Sequence, residues 1–134
     1  MGKWLVKSDP DSYSFADLAR EKSTAWTGVR NALAQQHLRK MKKGDPVLVY
    51  HSGKDKAIVG LAEVKRDPYA DPTDETGKSS CVDLKYSKTF KSSVSLASLK
   101  KDSRFKDFIL VKFSRLSVMP VSDEQWEMLS KLTG

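Results

Sequence analysis

Cysteine and histidine are scarce in this sequence of 134 residues, which contains one cysteine and two histidines. The single cysteine, Cys81, excludes a disulfide bond within the chain and cannot form a zinc site by itself. His37 and His51 are distant from each other and from Cys81 in the sequence, so no pair has the spacing of metal ligands. The sequence therefore predicts no metal site.

Long apolar runs are also missing, and none approaches the roughly 18 residues that a membrane-spanning helix requires. The first segment, MGKWLVKSDP, places charges at Lys3, Lys7 and Asp9 around a short apolar stretch, unlike a signal peptide. Neither a P-loop nor a GxGxxG motif is present, so no cofactor is predicted. We therefore expect an intracellular protein without a membrane partner, cytoplasmic or, if the source is eukaryotic, nuclear.

The charge is mostly basic, with 24 lysines and arginines against 17 acidic residues and a net charge of +7. Residues 30–66 carry nine basic residues against three acidic ones, and residues 85–115 carry nine against two. On one face of the fold, these stretches would attract a polyanion such as nucleic acid, with Lys42, Lys43 and Lys54 as candidate contacts. The alternative is that the lysines only keep a small domain soluble.

The hydrophobic pattern predicts a mixture of short strands and short helices. Strands are predicted at 3–7, 45–52, 56–66 and 81–87, with one or two more within 108–121. Helices are predicted at 14–22, 31–44, 95–102 and 122–134, and a loop at 67–80. Gly60, inside a strand, indicates a bulge or a close backbone approach. Five or six strands with three or four helices predict an α+β protein built on one small curved sheet or barrel.

Capping residues and apolar spacing define two of the helices more closely. Asn31 can cap the second predicted helix, in which Leu33, Leu38 and Met41 are expected to share an inward face. The last predicted helix begins with a serine and a glutamine at capping-box spacing. We expect this helix to pack its Trp126 face against the outside of the sheet.

The segment WTGVRN, at 26–31, combines residue types that rarely occur together in a core strand or in a solvent loop. Burial of Arg30 and Asn31 without partners would be costly. A ligand pocket accounts for this combination, because Trp26 stacks on a flat ring, Gly28 lets the backbone approach, and the polar side chains bind base edges or phosphates. The alternative is that Trp26 is a core residue.

The sequence evidence for catalytic residues is weak compared with the evidence for a binding pocket. A nucleophile needs an oriented base, but Cys81 opens a predicted strand and is more typical of a packing residue. His51 and Ser52 are neighbours on a strand, so their side chains point to opposite faces, which disfavours a dyad. Asp74 and Glu75 lie in a polar loop, where carboxylates are ordinarily solvated. We therefore predict a binding protein and not an enzyme.

Five segments occur in the order typical of the EVE-domain family, and together they resemble it: WLVKSDPDSYSFADL (4–18), WTGVRN (26–31), MKKGDPVLVYHS (41–52), DPYADPT (67–73) and RLSVMPVSDEQW (115–126). The resemblance covers nearly the whole chain, with Asp9 standing where the family usually has glutamate. It implies a single domain at 1–134 with a PUA-like fold, a curved and partly closed β-barrel with short helices outside. It also implies a monomeric, non-catalytic protein that binds a modified base in nucleic acid, typically a modified cytosine in DNA.

The resemblance implies a ligand site with two walls. One wall is the WTGVRN segment, with Trp26, Gly28, Val29, Arg30 and Asn31. The other wall consists of two strand ends, with Lys7, Ser8, His51 and Ser52. Trp26 would stack on the base, and Asn31 would bind its edge.

The sequence leaves three questions open. Arg30 contacts a phosphate, or it pairs internally with an acid such as Asp9. The ligand is DNA, or it is tRNA or rRNA, because the 2′-hydroxyl contact that distinguishes RNA has no sequence motif. An enzyme acting on a modified nucleotide would need an acid or a base in the pocket, for which only His51 and Asp9 are available.

Overall fold

The computed structural model describes residues 2–133, which form one six-stranded mixed sheet surrounded by short helices. The strands are β1 (Trp4–Ser8), β2 (Ser23–Trp26), β3 (Pro46–His51), β4 (Ala57–Ala70), β5 (Ser80–Ser95) and β6 (Val118–Pro120). The helices are α1 (Phe15–Glu21), α2 (Ala32–Leu38), α3 (Leu96–Lys101), α4 (Ile109–Lys112) and α5 (Asp123–Leu132), with a 3₁₀ turn at Ser103–Phe105. Across this range, every helix is too short or too polar to span a membrane.

The strand order is β2-β5-β4-β3-β1-β6. Strands β1 and β3 pair in parallel, whereas the other neighbouring strands are antiparallel. The last five residues of β3, VLVYH, are all buried. Such a continuous buried run is expected of a strand that has a parallel partner and is covered on both faces.

The sheet curves until its two ends approach each other. Three strands separate β1 from β2 in the strand order, yet residues of both strands line one pocket. The rings of Tyr13, which follows β1, and Trp26, at the end of β2, have centroids 6.2 Å apart. Strands β2 and β6 remain as edges, so the barrel is only partly closed. The predicted α+β fold is confirmed.

The predicted helix starts are confirmed in detail. The Ser14 hydroxyl accepts a hydrogen bond from the Asp17 backbone N–H, and the Asp17 carboxylate accepts one from the Ser14 N–H. This capping box satisfies N–H groups that the first turn of α1 leaves unpaired. Ser122 caps α5 by accepting from the Gln125 N–H, but the reciprocal bond of the predicted capping box, from the Ser122 N–H to the Gln125 side chain, is absent. The Trp126 side chain packs against the core, as expected.

The predicted loop at 67–80 is wrong at both ends. Strands β4 and β5 extend into this range and leave only 71–79 as the loop. Pro68 is tolerated in a strand because the β4–β5 register shifts between Arg66 and Tyr69, where its missing N–H is not needed. The Arg66 guanidinium carbon lies 3.8 Å from the centroid of the Tyr69 ring, a contact that the sequence pattern does not reveal.

The apolar run at 108–121 is predicted as one or two strands, but most of it is not strand. It folds as helix α4, then a turn, then the three-residue strand β6. Phe108 and Leu110 are buried in the core from the start of this helical turn. A short apolar run fits a buried strand and a buried helical turn equally well, so tertiary packing decides between them.

Helix α2 ends at Leu38, earlier than the predicted helix over 31–44. The Asp45 carboxylate accepts a hydrogen bond from the Lys42 backbone N–H, so the chain turns towards β3 instead of continuing as a helix. Leu38 is buried as predicted, but Leu33 is 46% exposed and lies on the outer face of the helix.

The close approach expected at Gly60 is confirmed. A β-carbon at Gly60 would lie 2.2 Å from a ring carbon of Phe15, the first residue of α1. The β3–β4 and β4–β5 pairings both change register near this glycine. Glycine therefore lets the Phe15 ring contact the backbone of the sheet and places α1 against it.

Replacement of Gly60 by alanine is expected to lower the free energy of unfolding by about 1–3 kcal/mol, because the added methyl group overpacks the Phe15 ring. Urea unfolding measures the loss. A Gly60→Ala/Phe15→Leu double variant should lose less stability than the sum of the losses in the two single variants, because the smaller side chain relieves the clash. Strict additivity of the two losses would contradict the assigned contact.

Candidate functional site

A pocket of about 280 Å³ opens where the two ends of the curved sheet approach each other. Its walls come from the end of β1 and the turn after it, from β2 and the segment after it, and from the residue before β6. The lining residues are Lys7, Ser8, Asp9, Tyr13, Thr24, Ala25, Trp26, Thr27, Gly28, Val29, Arg30 and Ser117.

Trp26 forms an aromatic wall of this pocket and is also part of the core. It is the last residue of β2, where it pairs with Val82 of β5, and it is 9% exposed. Its ring meets the Tyr13 ring at an interplanar angle of 83°. The two alternatives for Trp26, pocket or core, therefore both describe this residue.

The buried carboxylate of Asp71 holds the segment that follows Trp26. Asp71 Oδ2 accepts hydrogen bonds from the Gly28 backbone N–H (2.9 Å) and from Arg30 Nη1 (3.0 Å). Asp71 Oδ1 accepts from the backbone N–H and the hydroxyl of Thr73 (2.7 and 2.6 Å). Arg30 therefore pairs internally, with Asp71 instead of Asp9, and its side chain remains 45% exposed.

This arrangement controls the ionisation of Asp71. Burial by itself raises the pKa of a carboxyl group, but the hydrogen bonds from Thr73, Gly28 and Arg30 outweigh burial and lower the pKa of Asp71 to about 2. The carboxylate is thus charged at neutral pH, and four donors share that charge. Such a group fixes the backbone around it, because each donor would lose a partner if it moved.

A second anchor comes from helix α2. The Gln35 side-chain amide donates to the Val29 carbonyl oxygen (2.6 Å) and to the Ser80 carbonyl oxygen (3.0 Å). Its carbonyl oxygen accepts from the Ser80 N–H (2.8 Å). Gly28, between the two anchors, has a φ of +83°, a conformation that favours glycine. The segment 26–31 is therefore a fixed wall and not a loose loop.

The facing wall is the end of β1. Lys7 Nζ donates to the Ser114 carbonyl oxygen (2.7 Å) and lies 5.6 Å from the centroid of the Tyr50 ring. Burial lowers the pKa of Lys7 from its ordinary value. The Ser8 hydroxyl donates to the Tyr13 carbonyl oxygen and so holds the turn after β1. This wall offers an ammonium group and hydroxyl groups to a ligand.

Three of the predicted ligand residues lie outside the pocket lining: Asn31, His51 and Ser52. The Asn31 side-chain oxygen accepts from the Ala34 N–H and caps α2, so this oxygen is occupied. Ser52 donates its backbone N–H to the Ser8 carbonyl oxygen and joins the two strand ends. These contacts support the pocket from outside.

The placement of His51 has a specific physical cause. Its Nε2 atom accepts a hydrogen bond from the Phe15 backbone N–H (2.9 Å), so this nitrogen carries no proton. Its Nδ1 atom, 3.0 Å from Asp55 Oδ2, is then the donor. Both ring nitrogens are engaged and His51 is 8% exposed, so it ties α1 to the end of β3.

The three candidate polyanion contacts are exposed but do not lie together. Lys42 and Lys43 precede β3, at the opposite end of the β1–β3 pair from the pocket. Lys54 lies in the turn after β3, next to Gly53, where an added β-carbon would lie 4.0 Å from Asp9 Oδ1. Of the three lysines, Lys54 is therefore placed near the pocket mouth.

Comparison with known proteins identifies the family to which this fold belongs. The sequence model of the EVE-domain family matches residues 3–132. The chain belongs to the EVE-domain family. Human thymocyte nuclear protein 1 is 30% identical to this EVE-domain chain over 163 aligned positions, covering 96% of this chain and 72% of the human protein.

Two solved structures extend the comparison. A Rhodopseudomonas palustris protein determined by NMR is 45% identical, with a TM-score of 0.94, and the match covers 100% of this chain and 94% of that one. Human thymocyte nuclear protein 1 in complex with DNA containing 5-methylcytosine is 29% identical, with a TM-score of 0.92. That match covers 99% of this chain and 98% of the human chain.

The sequence prediction of the EVE-domain site omitted several lining residues. Tyr13 stands just before the α1 cap, Thr24 lies two residues before Trp26, and Thr27 follows Trp26 directly. Ser117 precedes β6. Asp71, the main anchor, belongs to a segment that contributed only to the family resemblance. Their closeness to Trp26 in the sequence could have indicated Thr24 and Thr27, because residues on both sides of a pocket aromatic are lining candidates. No sequence pattern indicates Ser117 or Asp71.

Because the pKa of Asp71 is lowered from 3.8 to about 2, its contacts stabilise the fold fully above about pH 4, and this stabilisation is lost as the pH falls towards 2. Asp71→Asn is therefore expected to lower the free energy of unfolding at neutral pH by roughly 2 kcal/mol. The difference between wild type and variant should shrink as the pH falls below about 4. Urea unfolding across this range measures it.

The matched control is Asp123→Asn, because the Asp123 side chain is 89% exposed although it pairs with Lys3. Exposed pairs contribute about 0–1 kcal/mol, so this variant should behave nearly as the wild type does. Equal losses for both variants, or a loss for Asp71→Asn that persists unchanged at low pH, would contradict the role assigned to Asp71.

Proposed function

We propose that this protein binds DNA containing a modified cytosine, takes the modified base into the pocket beside Trp26, and catalyses no reaction on it. The observation that carries the proposal is the pocket, in which an aromatic wall, an ammonium group and a carboxylate lie together. The chain that forms this pocket has the EVE-domain fold. A relative with that fold, human thymocyte nuclear protein 1, is known in complex with DNA containing 5-methylcytosine.

The size and shape of the pocket suit a single base. Its volume of about 280 Å³ lies near the lower limit of roughly 300 Å³ for small-molecule sites, so a heterocycle fits better than a whole nucleotide. Trp26 and Tyr13 stand nearly perpendicular, so a flat base stacks on one ring and meets the edge of the other. Stacking of this kind contributes about 1–3 kcal/mol per base.

The polar groups of the pocket favour cytosine. Asp9 lines the pocket and uses Oδ1 to accept from the Asp11 N–H, which leaves Oδ2 for a ligand. Carboxylates accept hydrogen bonds from the amino group of cytosine, which thymine lacks. The Lys7 ammonium group, opposite the Trp26 wall, can donate to the base oxygen. Asp9 keeps the charge of the glutamate that is usual in the family.

A base enters such a pocket only after leaving its stack, so the flanking backbone must be held at the rim. Arg30 lies at this rim and is 45% exposed. Two of its nitrogens already bind Asp71 and Thr73, and the guanidinium has five N–H donors in total. A phosphate can therefore share Arg30 with Asp71, which combines the two alternatives considered for this residue.

The non-catalytic part of the proposal is supported by the positions of the groups that could transfer protons. His51 has both ring nitrogens engaged and lies outside the pocket lining. The Tyr13 hydroxyl donates to Glu21 (2.6 Å), and burial together with this hydrogen bond raises the pKa of Tyr13. His51 and Tyr13 thus hold the structure, whereas general acid–base catalysis needs a group within reach of the reacting atoms. Asp9 does line the pocket, and the proposal assigns its carboxylate to the amino group of the base.

The central test replaces Trp26 by leucine, which keeps a large apolar side chain and removes the stacking surface. Affinity for a single strand containing 5-methylcytosine should fall about tenfold. The weaker binding of the unmodified strand should persist, because phosphate contacts do not depend on the base. Fluorescence anisotropy on DNA and RNA strands of matched sequence measures both quantities and decides between DNA and the alternative RNA ligand.

Trp126→Leu is the matched control, because this tryptophan packs on the core from α5 and lies outside the pocket lining. Thermal melts show whether both variants remain folded. Loss of base preference in both variants, or in neither, would refute the assignment of the base to the Trp26 pocket.

A second test addresses the polyanion. Binding should weaken steeply with salt through counterion release. Lys54→Ala should weaken modified and unmodified strands alike and reduce the slope of log affinity against log salt by about one. Lys42→Ala and Lys43→Ala should have smaller effects, because these residues precede β3 at the far end from the pocket. Salt-independent binding, or equal effects of the three variants, would count against this placement.

A further inference from the structure

A second, open groove of about 380 Å³ lies beside the pocket. It is lined by Asn31 and Leu33 at the start of α2 and by residues 112–116, which connect α4 to β6. We call it the Phe113 groove. The pocket and the groove share a boundary, since Lys7 of the pocket donates a hydrogen bond to the Ser114 carbonyl oxygen at 2.7 Å.

The groove exposes apolar surface that the fold does not cover. Phe113 is 55% exposed and Leu33 is 46% exposed. Within residues 2–133 only one other large apolar side chain, Leu132, is exposed to a comparable degree. Phe113 and Leu33 belong to different elements and yet line the same groove. Exposed apolar surface that is concentrated in this way marks an interaction site more often than scattered single residues do.

The charge at the groove indicates the kind of occupant. Lys112 and Arg115 border the apolar side chains. Lys112 lies 3.7 Å from the carboxylate of Asp107, whereas Arg115 takes part in no ion pair within the described part of the chain. An aromatic ring next to uncompensated positive charge complements a nucleotide, which has a flat base and an anionic phosphate.

We propose that the Phe113 groove binds the nucleotide next to the base held in the Trp26 pocket, with Phe113 against its base and Arg115 near its phosphate. The proposal rests on the proposed function, because it needs a strand whose modified base occupies the pocket. A strand leaving the pocket past Lys7 and Ser114 meets this groove at once. The protein thus reads a modified base together with one neighbour, and the neighbour is held by stacking.

The test uses short single strands with one 5-methylcytosine, in which the base on its 5′ side or on its 3′ side is replaced by an abasic site. For the wild type, one of the two replacements should lower affinity roughly tenfold. Phe113→Ala should bind the intact strand about as weakly as the wild type binds that abasic strand. The abasic replacement should then lower the affinity of the Phe113→Ala variant only slightly, because the aromatic ring on which that base stacks is already missing.

Leu132→Ala is the control, since Leu132 is 40% exposed at the end of α5. It should bind all strands as the wild type does. If Trp26→Leu removes the base preference but Phe113→Ala binds every strand like the wild type, the groove has another occupant and only this proposal is overturned. If Trp26→Leu leaves the preference intact, the pocket assignment fails, and the groove proposal fails with it.

Discussion

The carboxylate of Asp71 is buried between two segments that are far apart in the sequence. It comes from the loop after β4, and it accepts hydrogen bonds from the Gly28 backbone and the Arg30 side chain after β2. The cost of burying its charge is offset by four donors, which keep the pKa of Asp71 near 2. Without this contact, the segment after Trp26 would depend on the bond from Gln35 to the Val29 carbonyl oxygen for its path across the open side of the barrel.

The pocket follows from incomplete closure of the sheet. Strands β1 and β2 are not paired, and the space between their ends is bridged by side chains instead of by backbone hydrogen bonds. Trp26 contributes to this bridge and to the core at once, so the proposed function couples stability and binding at this residue. The Phe113 groove continues the same opening past Lys7. The pocket and the groove thus form one continuous surface, which the proposed nucleic-acid strand would follow.

Local signals predicted the parts of the fold that neighbouring residues determine. The caps at Ser14 and Asn31 depend on residues three positions away, and both are present. The strand β2 and the run at 108–121 were not predictable in the same way. Each is short and gives no clear period, so pairing with β5 and burial of Phe108 decided their conformations.

For the site, the sequence by itself determined which residue types are concentrated at WTGVRN and so indicated Trp26, whereas Lys7 was implied by the family resemblance. Only the tertiary structure decided what the polar side chains do. Arg30 meets Asp71, and His51 meets Phe15 and Asp55, so partners outside their own segments set their roles. A hydrogen bond depends on distances of about 3 Å between atoms, and the folding of distant segments sets those distances, which composition and spacing do not encode.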